Sequence, residues 1–144
     1  MKIKQVLDQP RTYVLILLTG DEVVDCLTKF AAEQRPESAS FTAIGAFEGC
    51  TLGYFDWQYK KYLENPVVDQ VEVLSLVGNL TWDGDKPKAH AHVVIGLRDG
   101  SACGGHLLKG LVRPTLEVTV VEAPAHLQRR YDPESHLALI QIEK

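Results

Sequence analysis

The chain has 144 residues, of which 45% are hydrophobic and 24% charged, and its formal net charge is −4 at pH 7. This length and composition predict a single domain, residues 1–144, with a substantial apolar core. An acidic chain gains little from releasing counterions on DNA, so the charge disfavours unaided binding to nucleic acid. No apolar run reaches the roughly 20 residues of a transmembrane helix, so the sequence predicts no membrane span.

Most of the chain has the patterns of short β-strands, either alternating polarity or brief apolar runs rich in β-branched residues. The predicted strands are residues 2–7, 13–18, 38–46, 50–56, 67–81, 90–95, 107–112, 115–121 and 137–142. Gly45 and Gly49 indicate a bulge or a close backbone contact. Asp83-Gly84 and Asp99-Gly100 are typical hairpin turns.

One helix is predicted, over about residues 21–35. Val23, Leu27 and Phe30 recur at helical spacing and form an apolar face. Thr19 or Asp21 can cap its start, because both side chains accept hydrogen bonds from free backbone N–H groups. Together with the strands, this helix predicts an α+β fold with a mostly antiparallel sheet.

Three of the five histidines fall in one segment, residues 90–106. His90 and His92 are two residues apart on a predicted strand, so their side chains point to the same face. The turn at Asp99-Gly100 returns the chain, and Gly104-Gly105 leaves room for another backbone beside His106. Three converging imidazoles predict a divalent metal site with an open fourth position.

Zinc suits a site made only of histidines, although nickel, copper and iron also accept imidazole. The competing interpretation is that these histidines are ordinary surface or core residues. His126 and His136 have no ligand-like spacing to the cluster and lie in a polar stretch, residues 126–136, so both are predicted to be surface residues.

Aromatic residues are most frequent just before the middle of the chain. They are Tyr54, Phe55, Trp57, Tyr59 and Tyr62. Large rings in adjacent strands pack together or stack on a ligand, and the sequence leaves both interpretations open.

The three cysteines, Cys26, Cys50 and Cys103, are far apart and form no Cys-x-x-Cys pair. This usage predicts reduced thiols in a cytoplasmic protein. Cys103 is near the histidines and either lines their site or is a small packed residue.

Four stretches in order along the chain carry a resemblance to a known family. They are Phe41–Asp56, Val71–Gly78, the histidine segment 90–106 and Thr115–Glu122. With these, the chain resembles the PPC (plants and prokaryotes conserved) domain family, in its stand-alone prokaryotic form. Gln70 and Val71 stand where the plant signature has Arg and Phe, so partner contacts mapped to those two positions do not transfer.

The resemblance implies a compact α+β domain that assembles into a homotrimer. The prokaryotic branch keeps the His-x-His and Gly-Gly-His elements, which are His90, His92 and His106 here. The fold is also similar to acetolactate decarboxylase, which holds zinc with three histidines. The plant domain accompanies AT-hooks, and this sequence contains no Arg-Gly-Arg-Pro core.

The leading hypothesis is a zinc-binding trimer that acts on a small molecule. Glu48 and Glu72 are the candidate carboxylates for general acid–base work. The alternative is a non-catalytic trimeric interaction module, and a DNA-associated role is a third hypothesis supported only by the family's usual description.

Overall fold

The computed structural model describes residues 1–8, 10–123 and 128–141, and within them the chain forms nine strands and one helix. In chain order these are β1 Lys2–Asp8, β2 Arg11–Leu18, α1 Val23–Gln34, β3 Ala39–Asp56, β4 Lys61–Val67, β5 Val71–Asp83, β6 Lys86–Gly96, β7 Ala102–Glu122, β8 Gln128–Asp132 and β9 Leu137–Gln141. The predicted α+β class is confirmed.

The strands form one sheet whose pairings are antiparallel, apart from a parallel contact between β5 and β8. Strands β3, β5, β6 and β7 each pair with two others of this set, so their pairings make a closed ring. Strands β1 and β2 extend the ring from β7, and the β8–β9 hairpin adjoins β5. This ring fixes β6 between two partners, and β6 carries two of the histidines.

Helix α1 lies where the sequence predicts it, but another residue caps it. The N-cap is Glu22, whose carboxylate accepts a hydrogen bond of 2.8 Å from the backbone N–H of Asp25. Asp21 instead accepts from the backbone N–H of Leu18 and pairs with the N-terminal amine. Arg35 ends the helix in a left-handed conformation with φ 45°. Among the described residues, no helix has both the length and the apolarity to cross a membrane.

The core lies between α1 and one face of the sheet. Val23, Leu27 and Phe30 are fully buried, in line with their helical spacing. On β6, Ala91, Val93 and Ile95 fill the same core. Because side chains alternate along a strand, His90 and His92 must project from the opposite, outer face of β6.

Two strands each join segments that the sequence predicts as separate strands. Strand β3 runs without a break from Ala39 to Asp56. Its pairing with β5 shifts register between Ala43 and Gly45, at the start of the stretch that contains Gly45 and Gly49. Strand β7 extends from Ala102 to Glu122 and pairs in turn with β6, β3 and β2. Both strands change partners along their length, a tertiary feature that local patterns do not encode.

The polar stretch at residues 126–136 contains no predicted strand, but part of it forms one. Gln128–Asp132 forms β8, which pairs with β9. Arg129 on this strand is half-buried, whereas His136 is exposed, as predicted. His126 lies outside the described residues. The hairpin places a cation close to the outer face of β5.

We expect Gly78→Ala to destabilise the protein by about 2 kcal/mol or more, because overpacking displaces backbone. A Cβ at Gly78 would lie 2.2 Å from the carbonyl oxygen of His90 and 2.4 Å from the ring of Phe41. Gly84→Ala is the control: its φ of 59° is strained for alanine, but nothing lies within 4 Å. It should cost about 1 kcal/mol. Urea unfolding of both variants measures the difference, and equal costs would contradict the close packing of β5 on β6.

Candidate metal centre

Strand register brings the three predicted histidines together. His90 and His92 lie on β6, and His106 on β7 is directly opposite His92 in the antiparallel pairing. Directly opposed residues share a face, with Cβ atoms about 5 Å apart. The sequence predicts all three positions from the alternation on β6 and the turn before β7.

The imidazole rings form a tight triangle. Ring centroids are 5.0 Å apart for His90 and His106, 5.1 Å for His90 and His92, and 5.4 Å for His92 and His106. One potential ligand nitrogen from each ring lies within 4.8 Å of the others. Tetrahedral zinc with Zn–N bonds near 2.1 Å holds its ligand nitrogens about 3.4 Å apart. Small side-chain rotations therefore bring these nitrogens to ligand spacing.

Gly104 allows the close approach of β7 to β6. A Cβ at this position would lie 2.6 Å from the carbonyl oxygen of Val93. The glycine pair before His106 thus makes room for another backbone, as the sequence predicts.

His106 has both a buried ring nitrogen and a lowered pKa. Its Nδ1 atom is buried and has no hydrogen-bond partner within the described part of the chain. Burial, together with the charges of His90, His92 and Arg129, lowers the pKa of His106 to about 4. Burial and Arg129 also lower the pKa of His90. Both imidazoles are therefore neutral at pH 7, the form in which histidine binds metals.

Arg129 is a site residue that the sequence analysis did not identify. Its guanidinium donates to the hydroxyl of Thr81 at 2.6 Å and to the side-chain oxygen of Asn79 at 2.9 Å. It also donates to the backbone carbonyl of Ala138 at 2.8 Å. Asn79 is directly opposite His90 in the β5–β6 pairing, so Arg129 is held beside the histidine row. One sequence feature could have revealed it. Asp132-Pro133 is typical of a turn, and a turn there predicts a hairpin whose first strand contains Arg129.

Tyr62 packs against the cluster at His106. Its ring stacks on His106 with centroids 4.5 Å apart and an interplanar angle of 24°. Burial raises the pKa of its hydroxyl. The sequence leaves open whether the aromatic residues pack together or stack on a ligand. Tyr62 packs on His106, whereas Trp57 and Tyr59 are largely exposed.

A cavity of about 200 Å³ opens on the His90 and His106 side of the cluster. Its described lining residues are Tyr62, Lys88, Ala89, His90, His106, Arg129, Leu137, Ala138 and Leu139. A second cavity, of about 190 Å³, lies against His92, Val77 and Val94. The histidine cluster is therefore accessible from two sides.

Within one chain the candidate carboxylates lie away from the cluster. Glu48 is on β3, five residues and about 16 Å from Gly53, which is opposite His106. It accepts a 3.4 Å hydrogen bond from Arg113 at the surface. Glu72 is exposed on β5, also about 16 Å along the strand from Val77, which is opposite His92. The structure brings neither residue to the three histidines of the same chain.

A family model for the Plants and Prokaryotes Conserved (PCC, or PPC) domain matches residues 5–124. The chain belongs to this family. No curated protein matches the PPC chain in sequence.

Solved structures with the same fold come from several prokaryotes. A protein from Bacteroides thetaiotaomicron proposed to bind DNA is 27% identical, with a TM-score of 0.92, over 99% of this chain and 98% of that one. A metal-containing protein from Archaeoglobus fulgidus is 30% identical, with a TM-score of 0.83, over 98% and 97% of the two chains. Acetolactate decarboxylase from Bacillus subtilis is 15% identical, with a TM-score of 0.54, and shares the fold over 88% of this chain and 58% of that one.

The cysteines of this PPC chain differ in access. All three are free thiols. Cys103 is exposed, so its interpretation as a packed residue was wrong. Cys50 is buried, and burial raises the pKa of its thiol to about 11; burial also raises the pKa of Cys26.

We therefore expect Cys103 to react with Ellman's reagent at least about tenfold faster than the other two thiols, because thiolate content and access set the rate. Stopped-flow measurements on native protein should show one rapid thiol per chain, and Cys103→Ser should remove that phase. Three equal rates in native protein would contradict the burial of Cys50.

Proposed function

We propose that the protein is a zinc-binding domain whose three-histidine centre acts on a small molecule in the adjoining cavity. Two observations carry this: three imidazoles converge, and one of them, that of His106, has a buried Nδ1 atom that lacks a hydrogen-bond partner within the described residues. An unsatisfied buried polar atom costs about 1–3 kcal/mol. A metal ion bound at that nitrogen would remove the cost, so the donor set fits the metal.

A zinc ion held by His90, His92 and His106 would supply a Lewis acid, with one coordination position left for a small molecule. The chain's own residues would set the geometry around it. Tyr62 fixes the ring of His106 by stacking, and the paired backbones of β6 and β7 hold His92 opposite His106. The metal-containing relative from Archaeoglobus fulgidus supports a metal in this family.

We expect purified protein to contain about one metal ion per chain and His106→Ala to lose it, because two remaining imidazoles bind weakly. Elemental analysis by mass spectrometry measures this after incubation with zinc. His136→Ala is the matched control, since His136 is exposed and outside the cluster. Equal metal content in wild type and His106→Ala, or none in either, would contradict the proposal.

We infer, as a second part of the function, that the chain assembles into a homotrimer through the outer face of the sheet. Ile44, Leu74, Val77 and Val94 are exposed there by 59%, 53%, 48% and 44%. Contiguous exposed apolar residues mark interaction surfaces. The cavity against His92 includes Val77 and Val94, so a second copy on this face would lie beside the metal centre. Glu48 or Glu72 of another subunit would then be the source of a carboxylate.

Light scattering coupled to size exclusion should give about 48 kDa, three times the 16.0 kDa chain. We expect Val77→Glu to lower this mass, because a charge at the apolar face disfavours its burial. The control is Val68→Glu, which changes a residue that is 87% exposed outside this face. A monomeric wild type, or a trimer unaffected by Val77→Glu, would contradict the inferred interface.

A cytoplasmic location belongs to the same proposal. Three free thiols suit a reducing compartment. The DNA binding proposed for the Bacteroides relative is not carried over, because a net charge of −4 gives no general attraction to phosphates.

A further inference from the structure

The cavity beside His90 and His106 has an unusual charge composition for an acidic protein. Two of its lining residues, Lys88 and Arg129, are cations. None of its described lining residues is an acid. A cavity lined by positive charge raises the local concentration of anionic ligands, even in a protein whose net charge is negative.

Arg129 is held in this cavity by neutral partners. Its three hydrogen bonds go to Thr81, Asn79 and the carbonyl of Ala138, which leaves two of its five N–H donors without a partner in the described ranges. No described carboxylate forms an ion pair with it, and Asp83 acts on it only through its longer-range charge. A half-buried guanidinium without a paired carboxylate is costly, and a bound anion compensates that cost.

Apart from Tyr62 and the two histidines, the remaining lining of the cavity is apolar. Leu137, Ala138 and Leu139 come from β9, and Ala89 from β6. The volume of about 200 Å³ is below the roughly 300 Å³ at which sites for drug-sized ligands begin. The ligand must therefore be small, with an anionic end and a short apolar body.

We propose that this cavity binds a short-chain carboxylate, with its charged end on the free donors of Arg129 and its apolar body against β9. This inference rests on the proposed function, since it names the class of small molecule that the metal centre takes. The register supports the placement: Asn79, which accepts a hydrogen bond from Arg129, is opposite His90, so the anion lies next to the histidine row. Lys88 lies opposite Thr81 and adds a second positive charge at the entrance.

The test compares propionate with propionamide, which has nearly the same shape and no charge, by ligand-observed NMR titration of zinc-incubated protein. We expect wild type to bind propionate at least about tenfold more tightly than propionamide. A factor of this size is typical of the affinity lost when one hydrogen bond to a charged group is removed. Arg129→Gln should bring the two affinities to within about twofold. Arg130→Gln, which changes the exposed neighbour on β8, should keep the wild-type preference.

Equal binding of the two probes by wild type would overturn the proposal, and so would an undiminished preference in folded Arg129→Gln. The comparison of the two probes on wild type tests the anion site even if Arg129→Gln does not fold. Arg129→Lys, which keeps the charge, should retain a preference of several-fold. Metal content measured on the same samples tests the metal centre separately. Wild type without metal that still prefers propionate would overturn the metal centre while supporting the anion site.

Discussion

The site depends on one constraint, the register of β7 against β6. In that register His106 is directly opposite His92, and all three imidazoles share the outer face of the sheet. A slip of one residue would move His106 to the core face, because side chains alternate along a strand. The closed ring of β3, β5, β6 and β7 opposes such a slip, since β7 pairs with β3 as well as with β6. The histidine cluster thus results from correct strand pairing rather than from a flexible loop.

Strand β6 serves the fold and the site at the same time. Its inward residues, Ala91, Val93 and Ile95, join the core against α1. Its outward residues, His90 and His92, lie in a row that runs from the exposed apolar face at Val77 to the cavity beside Arg129. Burial of the inward residues stabilises the same backbone that positions His90 and His92, so these histidines need no separate scaffold.

The charges around the cluster favour neutral imidazoles. Arg129 is held in place by hydrogen bonds to neutral groups and contributes positive charge beside His90 and His106. A carboxylate at the same place would instead favour protonated histidines. The positive charge of Arg129, which favours neutral imidazoles, would also favour an anion in the cavity. Arg129 therefore affects both the protonation of the histidines and the kind of molecule that the cavity would accept.

Local sequence patterns were enough to predict the histidine cluster but not its surroundings. The two-residue spacing of His90 and His92 and the Asp99-Gly100 turn are local signals, and they predict convergence with His106 directly. Arg129 is 23 residues beyond His106 on a short hairpin, and its position depends on the long-range contact of β8 with β5. Glu48 and Glu72 are candidates because a general acid or base needs a carboxylate, but their distance from the histidines depends on strand pairings that no local pattern contains. Glu22 caps α1 because Asp21 is engaged by Leu18 and the N-terminal amine, a competition visible only in the folded chain.

X-ray absorption at the zinc edge of zinc-loaded protein reports which atoms surround the metal, so it tests whether the three histidines bind it. A three-histidine centre should show three imidazole nitrogens at about 2.0–2.1 Å and one further light atom, with no sulfur in the first coordination sphere. A sulfur at about 2.3 Å, or a shell of oxygen atoms without imidazole scattering, would place the metal elsewhere on the chain and contradict the three-histidine centre.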